Sequence, residues 1–143
     1  LITSYAIDPL TGSLNYINQQ TTGDDGPCHL SIDSSGDVVA VANYSGGSIT
    51  TIPIESDGSL GSPTGFIKHC GSSINPHRQE GPHPHSANID PFNKNLLVPD
   101  LGLDKIIVYP INTKTGTLTE IPTSRAGSTQ GAGPRHLAFH TNY

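Results

Sequence analysis

Methionine and tryptophan are absent from the 143 residues, and only 13% of the chain is charged. So low a charge content excludes a disordered chain kept open by charge repulsion. Seven Lys and Arg against twelve Asp and Glu give a net charge of −5, so no basic surface is available for nucleic acid. No apolar run approaches the ~18–20 residues that a membrane span needs, and the opening residues carry no secretory signal pattern. Two cysteines, Cys28 and Cys70, are too few for a disulfide framework; they read as free thiols and point weakly to a reducing compartment. Hydrophobic residues are also scarce, at 33%, against ~45–50% in an ordinary domain on a scale that includes glycine. The chain begins at Leu1 and stops at Tyr143 just after an apolar alternating segment, so it is expected to be a piece of a larger protein.

What the sequence does have is turn formers, 16 Gly and 12 Pro, and an internal repeat. GPCHLSID at 26–33, PHPHSANID at 82–90 and GPRHLAFH at 133–140 align on Pro27, Pro84 and Pro134, spaced 57 and 50 residues apart. The next column holds Cys28, His85 and Arg135; the sixth residue after each proline is Asp33, Asp90 or His140. Each of the first two copies continues through a polar turn into an apolar run, 38–41 or 96–98, that ends at Asn43 or Asp100. A further turn leads to SITTIPI at 48–54 or KIIVYPI at 105–111, and a last turn carries Gly and Leu two apart, ESDGSL or NTKTGTL. That last turn also occurs as DPLTGSL at 8–14, so the chain opens inside a copy.

Runs rich in Val, Ile, Thr and Tyr, bounded by Gly, Asn, Asp and Ser, predict strands. Each copy holds three clear strands and a weaker fourth, expected at 14–20, 60–68 and 118–122. Four strands per ~40–50-residue unit is the blade of a β-propeller. The expected fold is therefore all-β, with four-stranded antiparallel blades starting near 26, 82 and 133. A β-sandwich is the competing architecture, although it has no need of the matched Pro-X-(His/Ser) starts. About three blades cannot close a ring of ~4–8, which again points to a larger domain.

The strings GDVVAVANYSGGSIT, NPHRQEGPHPHSANIDP, VPDLGLDKIIVY and GAGPRHLAFH resemble the seven-bladed β-propeller lactonase family, over almost the whole chain. That family includes propeller-type 6-phosphogluconolactonases and carboxymuconate cyclases. The resemblance implies a site at one end of the central channel, with His85 in the role of its histidine and Arg135 in that of an arginine. A glutamate and a further arginine of the family pattern fall beyond Tyr143. No metal and no cofactor are implied.

The repeat places the site at the same end. Cys28, His85 and Arg135 share a column, and equivalent positions form a ring around a propeller axis. Histidine near its ordinary pKa of ~6.5 can take and return a proton, and arginine offers a planar fork to carboxylate or phosphate. Such a pair suits a small anionic lactone or diacid. Channel-lining hydrogen bonds for His85 and an interblade salt bridge for Arg135 are the purely architectural readings. Asn43, Tyr44, Arg78, His83 and Asp100 are further expected substrate contacts. Asp100 and Asp104 could instead orient His85 or cap the turn between them. Within 69–85 the histidines His69, His77, His83 and His85 could bind zinc, since His-x-His on a strand turns both rings to one face; the expectation is no metal, with His69 and His77 exposed.

There is no GxSxG elbow and no Walker or dinucleotide-binding glycine loop, and nothing near Cys28 marks an activated nucleophile. The expected activity is hydrolysis of a sugar-acid lactone, by resemblance 6-phospho-D-glucono-1,5-lactone in the pentose phosphate pathway. Carboxymuconate cyclisation and a non-catalytic binding propeller remain open alternatives. The expected partners are the substrate and the rest of the propeller, with no nucleic acid or membrane. The expected compartment is the cytoplasm, or outside the cell for a fungal-type protein.

Overall fold

The computed structural model describes residues 1–122 and 124–140, and among these all regular structure is β. The chain opens with an antiparallel hairpin of β1 (Ile2–Ile7) and β2 (Leu14–Gln20). Asp8 closes its turn by accepting the amides of Leu10 and Thr11 at 2.8 and 2.9 Å. A four-stranded antiparallel sheet follows, in the order β3 (Pro27–Ile32), β4 (Val38–Asn43), β5 (Ser48–Pro53), β6 (Gly65–Lys68). The next sheet runs β7 (Asn88–Ile89), β8 (Asn95–Asp100), β9 (Lys105–Asn112). Its outermost place is shared by β10 (Thr117–Leu118) and β11 (Ser124–Gly127), both paired with β9. No helix interrupts 36–54 or 94–111.

The continuous apolar run of β4 has a direct cause: both faces of this strand are covered, as in any sheet packed on two sides. Val38, Ala40 and Ala42 join Ala87, Ile89, Leu96 and Val98 of the following sheet in one cluster. Val39 and Val41 face the other way, into a cluster with Ile52, Leu60 and Ile2 of the opening hairpin. Alternate residues of one strand thus hold two neighbouring blades. Each fully buried Val or Leu contributes roughly 1.5–3 kcal/mol to that stacking.

The sequence columns correspond to equivalent backbone positions. Pro27 pairs with Asn43, and Pro84 bridges to Asp100. Asp33 accepts the amides of Asp37 and Val38, at 2.7 and 2.8 Å, while Asp90 accepts those of Phe92 and Lys94, at 3.2 and 2.9 Å. Asn93 ties the two turns together, donating to Asp33 Oδ2 and accepting from the Ser34 amide, each at 3.0 Å. The fourth strand of the second sheet departs from expectation. It is expected over 118–122, but of that run only Leu118 lies in the ladder, with the Thr119 amide still donating to Pro110 O at 3.1 Å, and β9 pairs again with Ser124–Gly127. Pro122, at the end of the expected run, has no N–H to give to a ladder.

The chain ends of β4 and β8 and the long segment 69–85 meet on one side of the sheets. Gly47, in the turn after β4, has φ of 70° and lies under Pro82, whose carbonyl would stand 2.9 Å from any Cβ at that position. That close approach brings segment 69–85 down onto the turn that carries Tyr44.

Candidate functional site

His85 is held at the start of the second sheet by its amide, which donates to Pro99 O at 2.9 Å. Its ring stands edge-on to Tyr44, with centroids 5.6 Å apart, and edge-on to His136, at 5.0 Å. Ring atom Nδ1 is buried and has no hydrogen-bond partner among the described residues. Burial, then the neighbouring charges of His136, Arg135 and His29, hold the His85 pKa below the ordinary histidine value. The ring is thereby kept in its neutral, proton-accepting form.

Tyr44 gathers the rest. Its ring stacks on His83 at 4.5 Å with 15° between planes, and its hydroxyl accepts from Arg78 Nη2 at 3.2 Å. His83 presents Nδ1 to Tyr44 O at 3.0 Å and Nε2 to Glu80 Oε1 at 3.1 Å. Both ring nitrogens are thus engaged at the rim, which fixes the orientation of the His83 ring. Both His-x-His rings approach Tyr44, but among the described residues no group of three His, Cys, Asp or Glu converges as a metal site.

Arg135 is exposed, and its carbonyl accepts from the buried Ser86 Oγ at 2.8 Å. Arg135 and Arg78 line one cavity of about 180 Å³, with Asn75, Gln79, Leu101 and Gly133 among its walls. His85 is not among the residues that line this cavity; it is linked to it through Tyr44, whose hydroxyl accepts from Arg78, and its ring meets that of His136, the neighbour of Arg135 in sequence. Although the chain carries a net charge of −5, this mouth collects two arginines and the rings of His29, His83, His85 and His136. A larger groove of about 240 Å³ lies elsewhere, between β6 and β9, and its walls include Lys68, Tyr109 and Arg125 but none of the repeat-column residues.

The two Asx residues at the strand ends sit behind the rim. Asn43 is completely buried, and its Nδ2 donates to Ser48 Oγ and Thr50 Oγ1, both at 3.1 Å, and to Thr22 O at 3.4 Å. Asp100 is completely buried as well: Oδ2 accepts from His69 Nδ1 at 2.6 Å, and Oδ1 accepts the amides of His83 and Leu103 at 2.8 and 3.1 Å. Complete burial keeps the expected substrate contacts Asn43 and Asp100 behind the rim: the Asp100 oxygens are taken up inside the protein, while Asn43 Oδ1 has no hydrogen-bond partner among the described residues. His69, expected to be exposed, is only 5% exposed, since its partner Asp100 lies inside; His77 is exposed.

The repeat also held a signal that column reading missed. His29 and His136 follow the column residues Cys28 and Arg135, and their rings pair at 5.9 Å, beside His85. Cys28 Sγ faces the carbonyls of His85, Pro84 and Ala42, at 3.4, 3.6 and 3.7 Å, and burial pushes its thiol pKa up. That is the opposite of an activated nucleophile.

Consecutive four-stranded antiparallel sheets, stacked face to face with a polar mouth at one end, define a β-propeller. The chain belongs to the seven-bladed β-propeller lactonase family, whose family model matches residues 1–143. It is 40% identical over 140 residues to the 6-phosphogluconolactonase of Bacillus subtilis (strain 168), covering 97% of this chain and 38% of that protein. A solved structure from Bacteroides fragilis superposes with a TM-score of 0.89 at 38% identity, over 97% of this chain and 40% of that one. The periplasmic gluconolactonase of Pseudomonas aeruginosa superposes at 0.83 with 32% identity, over 98% and 40%. The chain thus spans about two fifths of the length of these relatives, or about three blades of a seven-bladed ring.

Proposed function

We propose that the full-length propeller hydrolyses 6-phospho-D-glucono-1,5-lactone, with blades starting near residues 26, 82 and 133. The observation that carries this reading is one cavity lined by both Arg78 and Arg135, linked through Tyr44 to a histidine whose pKa is held below the ordinary value. The name of the Bacillus subtilis relative supports it. His85 takes a proton from the attacking water as the water oxygen bonds to the lactone carbonyl carbon. When the bond from that carbon to the ring oxygen breaks, the imidazolium returns the proton to the ring oxygen, leaving 6-phosphogluconate. Arg135 holds the developing oxyanion or the phosphate, and Arg78 adds charge on the far wall. His83 holds Tyr44 and Glu80 at the rim. Asn43 and Asp100 support that rim from within.

Among the described residues no helix is long and apolar enough to cross a membrane. The two cysteines are unpaired, which supports a reducing compartment, and we place the protein in the cytoplasm. The activity is tested by assaying the full-length protein on the phosphorylated lactone and on carboxymuconate. Acid release from the lactone alone supports the reading, and turnover of carboxymuconate alone rejects it. Cell fractionation checks the compartment.

A further inference from the structure

We propose that Asp104 is a positioning residue that clasps two separate segments, one carrying Arg78 and the other Arg135, into a single anion-binding cavity; this rests on the lactonase reading above. Asp104 ends the turn between β8 and β9, is 5% exposed, and has φ of 54°, a left-handed conformation uncommon outside glycine. Its Oδ2 accepts from Ser73 Oγ at 2.6 Å and from the Gly131 amide at 2.7 Å, and its Oδ1 accepts the Gly133 amide at 2.8 Å. Its own carbonyl accepts the Ser128 amide at 2.9 Å and the Ser128 hydroxyl at 3.1 Å.

Turn capping would use amides two or three residues away, as Asp8 does with Leu10 and Thr11. The partners of the Asp104 carboxylate are instead 31, 27 and 29 residues away. They fall in two segments, and each supplies an arginine to the same cavity. Ser73 opens a tight loop closed by its amide to Gln79 O at 3.0 Å and by the Arg78 amide to Asn75 O at 3.2 Å. Gly131 and Gly133 lie four and two residues before Arg135 and line the cavity with it. Two arginines on the wall of one small cavity bring like charges to it, so the segments that carry them gain from an anchor behind them. A carboxylate supplies both the hydrogen bonds and an opposing charge. Burial pushes the Asp104 pKa up, but the Ser73 hydroxyl and the Gly133 and Gly131 amides outweigh it and hold the value at about 2, so the group stays ionised across the working pH range.

The test uses the full-length protein with Asp104→Asn and, separately, Ser73→Ala. Asparagine tolerates the left-handed backbone, so the first variant removes the charge and an acceptor without new strain. Two readouts are taken: steady-state hydrolysis of 6-phospho-D-glucono-1,5-lactone, and amide hydrogen exchange over 70–80 and 128–135. For Asp104→Asn we expect KM to rise about tenfold with kcat within about threefold, the pattern of lost positioning for binding, and faster exchange in both segments. Ser73→Ala should show a smaller KM rise and faster exchange in 70–80. An unchanged KM, or a kcat that falls as far as KM rises, overturns the proposal. If the unsubstituted protein leaves the lactone intact, the lactonase reading fails, and exchange alone then decides the clasp: unchanged exchange in both segments of Asp104→Asn rejects it.

Discussion

Asp100→Ala is the substitution whose cost follows most directly from the geometry. The carboxylate is completely buried against a His69 side chain only 1% exposed, and it accepts three hydrogen bonds: one from His69 and two from the backbone amides of His83 and Leu103. A buried donor left without its acceptor costs about 1–3 kcal/mol, and breaking a buried ionisable pair by deleting one partner costs about 3–5 kcal/mol. These contributions overlap, so the expected loss for Asp100→Ala is about 3–5 kcal/mol in all. Asp100→Asn keeps an oxygen for the two amides and can offer its NH₂ to the other His69 tautomer, so it should lose about half as much. The exposed Asp25→Ala serves as a control and should stay within about 0.5 kcal/mol. Urea unfolding of the full-length protein, followed by circular dichroism at fixed pH, measures all three. Activity should follow stability only in part: the His83 amide and carbonyl are tied to Asp100 and Leu101, so freeing residues 83–85 moves His85, and a displacement of ~1 Å can cost ~10²-fold in turnover. An Asp100→Ala protein within about 1 kcal/mol of the parent would refute this account of how the rim is held.

Two further predictions concern the mouth. Because burial and then the charges of His136, Arg135 and His29 depress the His85 pKa, the neutral base survives to lower pH than a free histidine would allow. The acidic limb of the kcat/KM profile should therefore lie below the ordinary ~6.5; His136→Asn removes the largest neighbouring charge and should move that limb upward, and an unmoved limb rejects the coupling. Cys28→Ser should keep turnover within about threefold of the parent, since a thiol whose pKa is raised by burial is no nucleophile at neutral pH; loss of activity in this variant would return Cys28 to the chemistry.

The fold was legible because a propeller repeats its reasons. The Pro–Asx pairs that begin and end the inner strands, and the Asp33 and Asp90 turns, recur at matched positions in the sequence. A strand covered on both faces, such as β4, declares itself as an unbroken apolar run. The fourth strand of the second sheet was less legible, since two short segments, Thr117–Leu118 and Ser124–Gly127, share the place where composition alone suggested a single run. The candidate site is legible as a column but not in depth. Equivalence through the repeat links Cys28, His85 and Arg135, yet it does not tell a rim position from a position behind the rim. Asn43 and Asp100 were read as reaching substrate, whereas their hydrogen bonds to Thr22, Ser48 and Thr50, or to His69, take them inside. His69 was read as exposed because its partner lies 31 residues away, a separation at which no local pattern operates. His136 carried a signal in the shared Pro-X-His string, and its place beside His85 came only with the stacking of the blades.

The central claim is that His85 moves the proton and Arg135 holds the anion. The most direct test is kcat/KM for 6-phospho-D-glucono-1,5-lactone in the full-length protein and in its His85→Ala and Arg135→Ala variants, alongside their urea midpoints. The account predicts a loss of ~10²–10⁴-fold for His85→Ala and of ~10²–10³-fold for Arg135→Ala, with both midpoints close to that of the parent. Near-parental kcat/KM in both variants, or a loss of activity matched by a loss of stability, would contradict it.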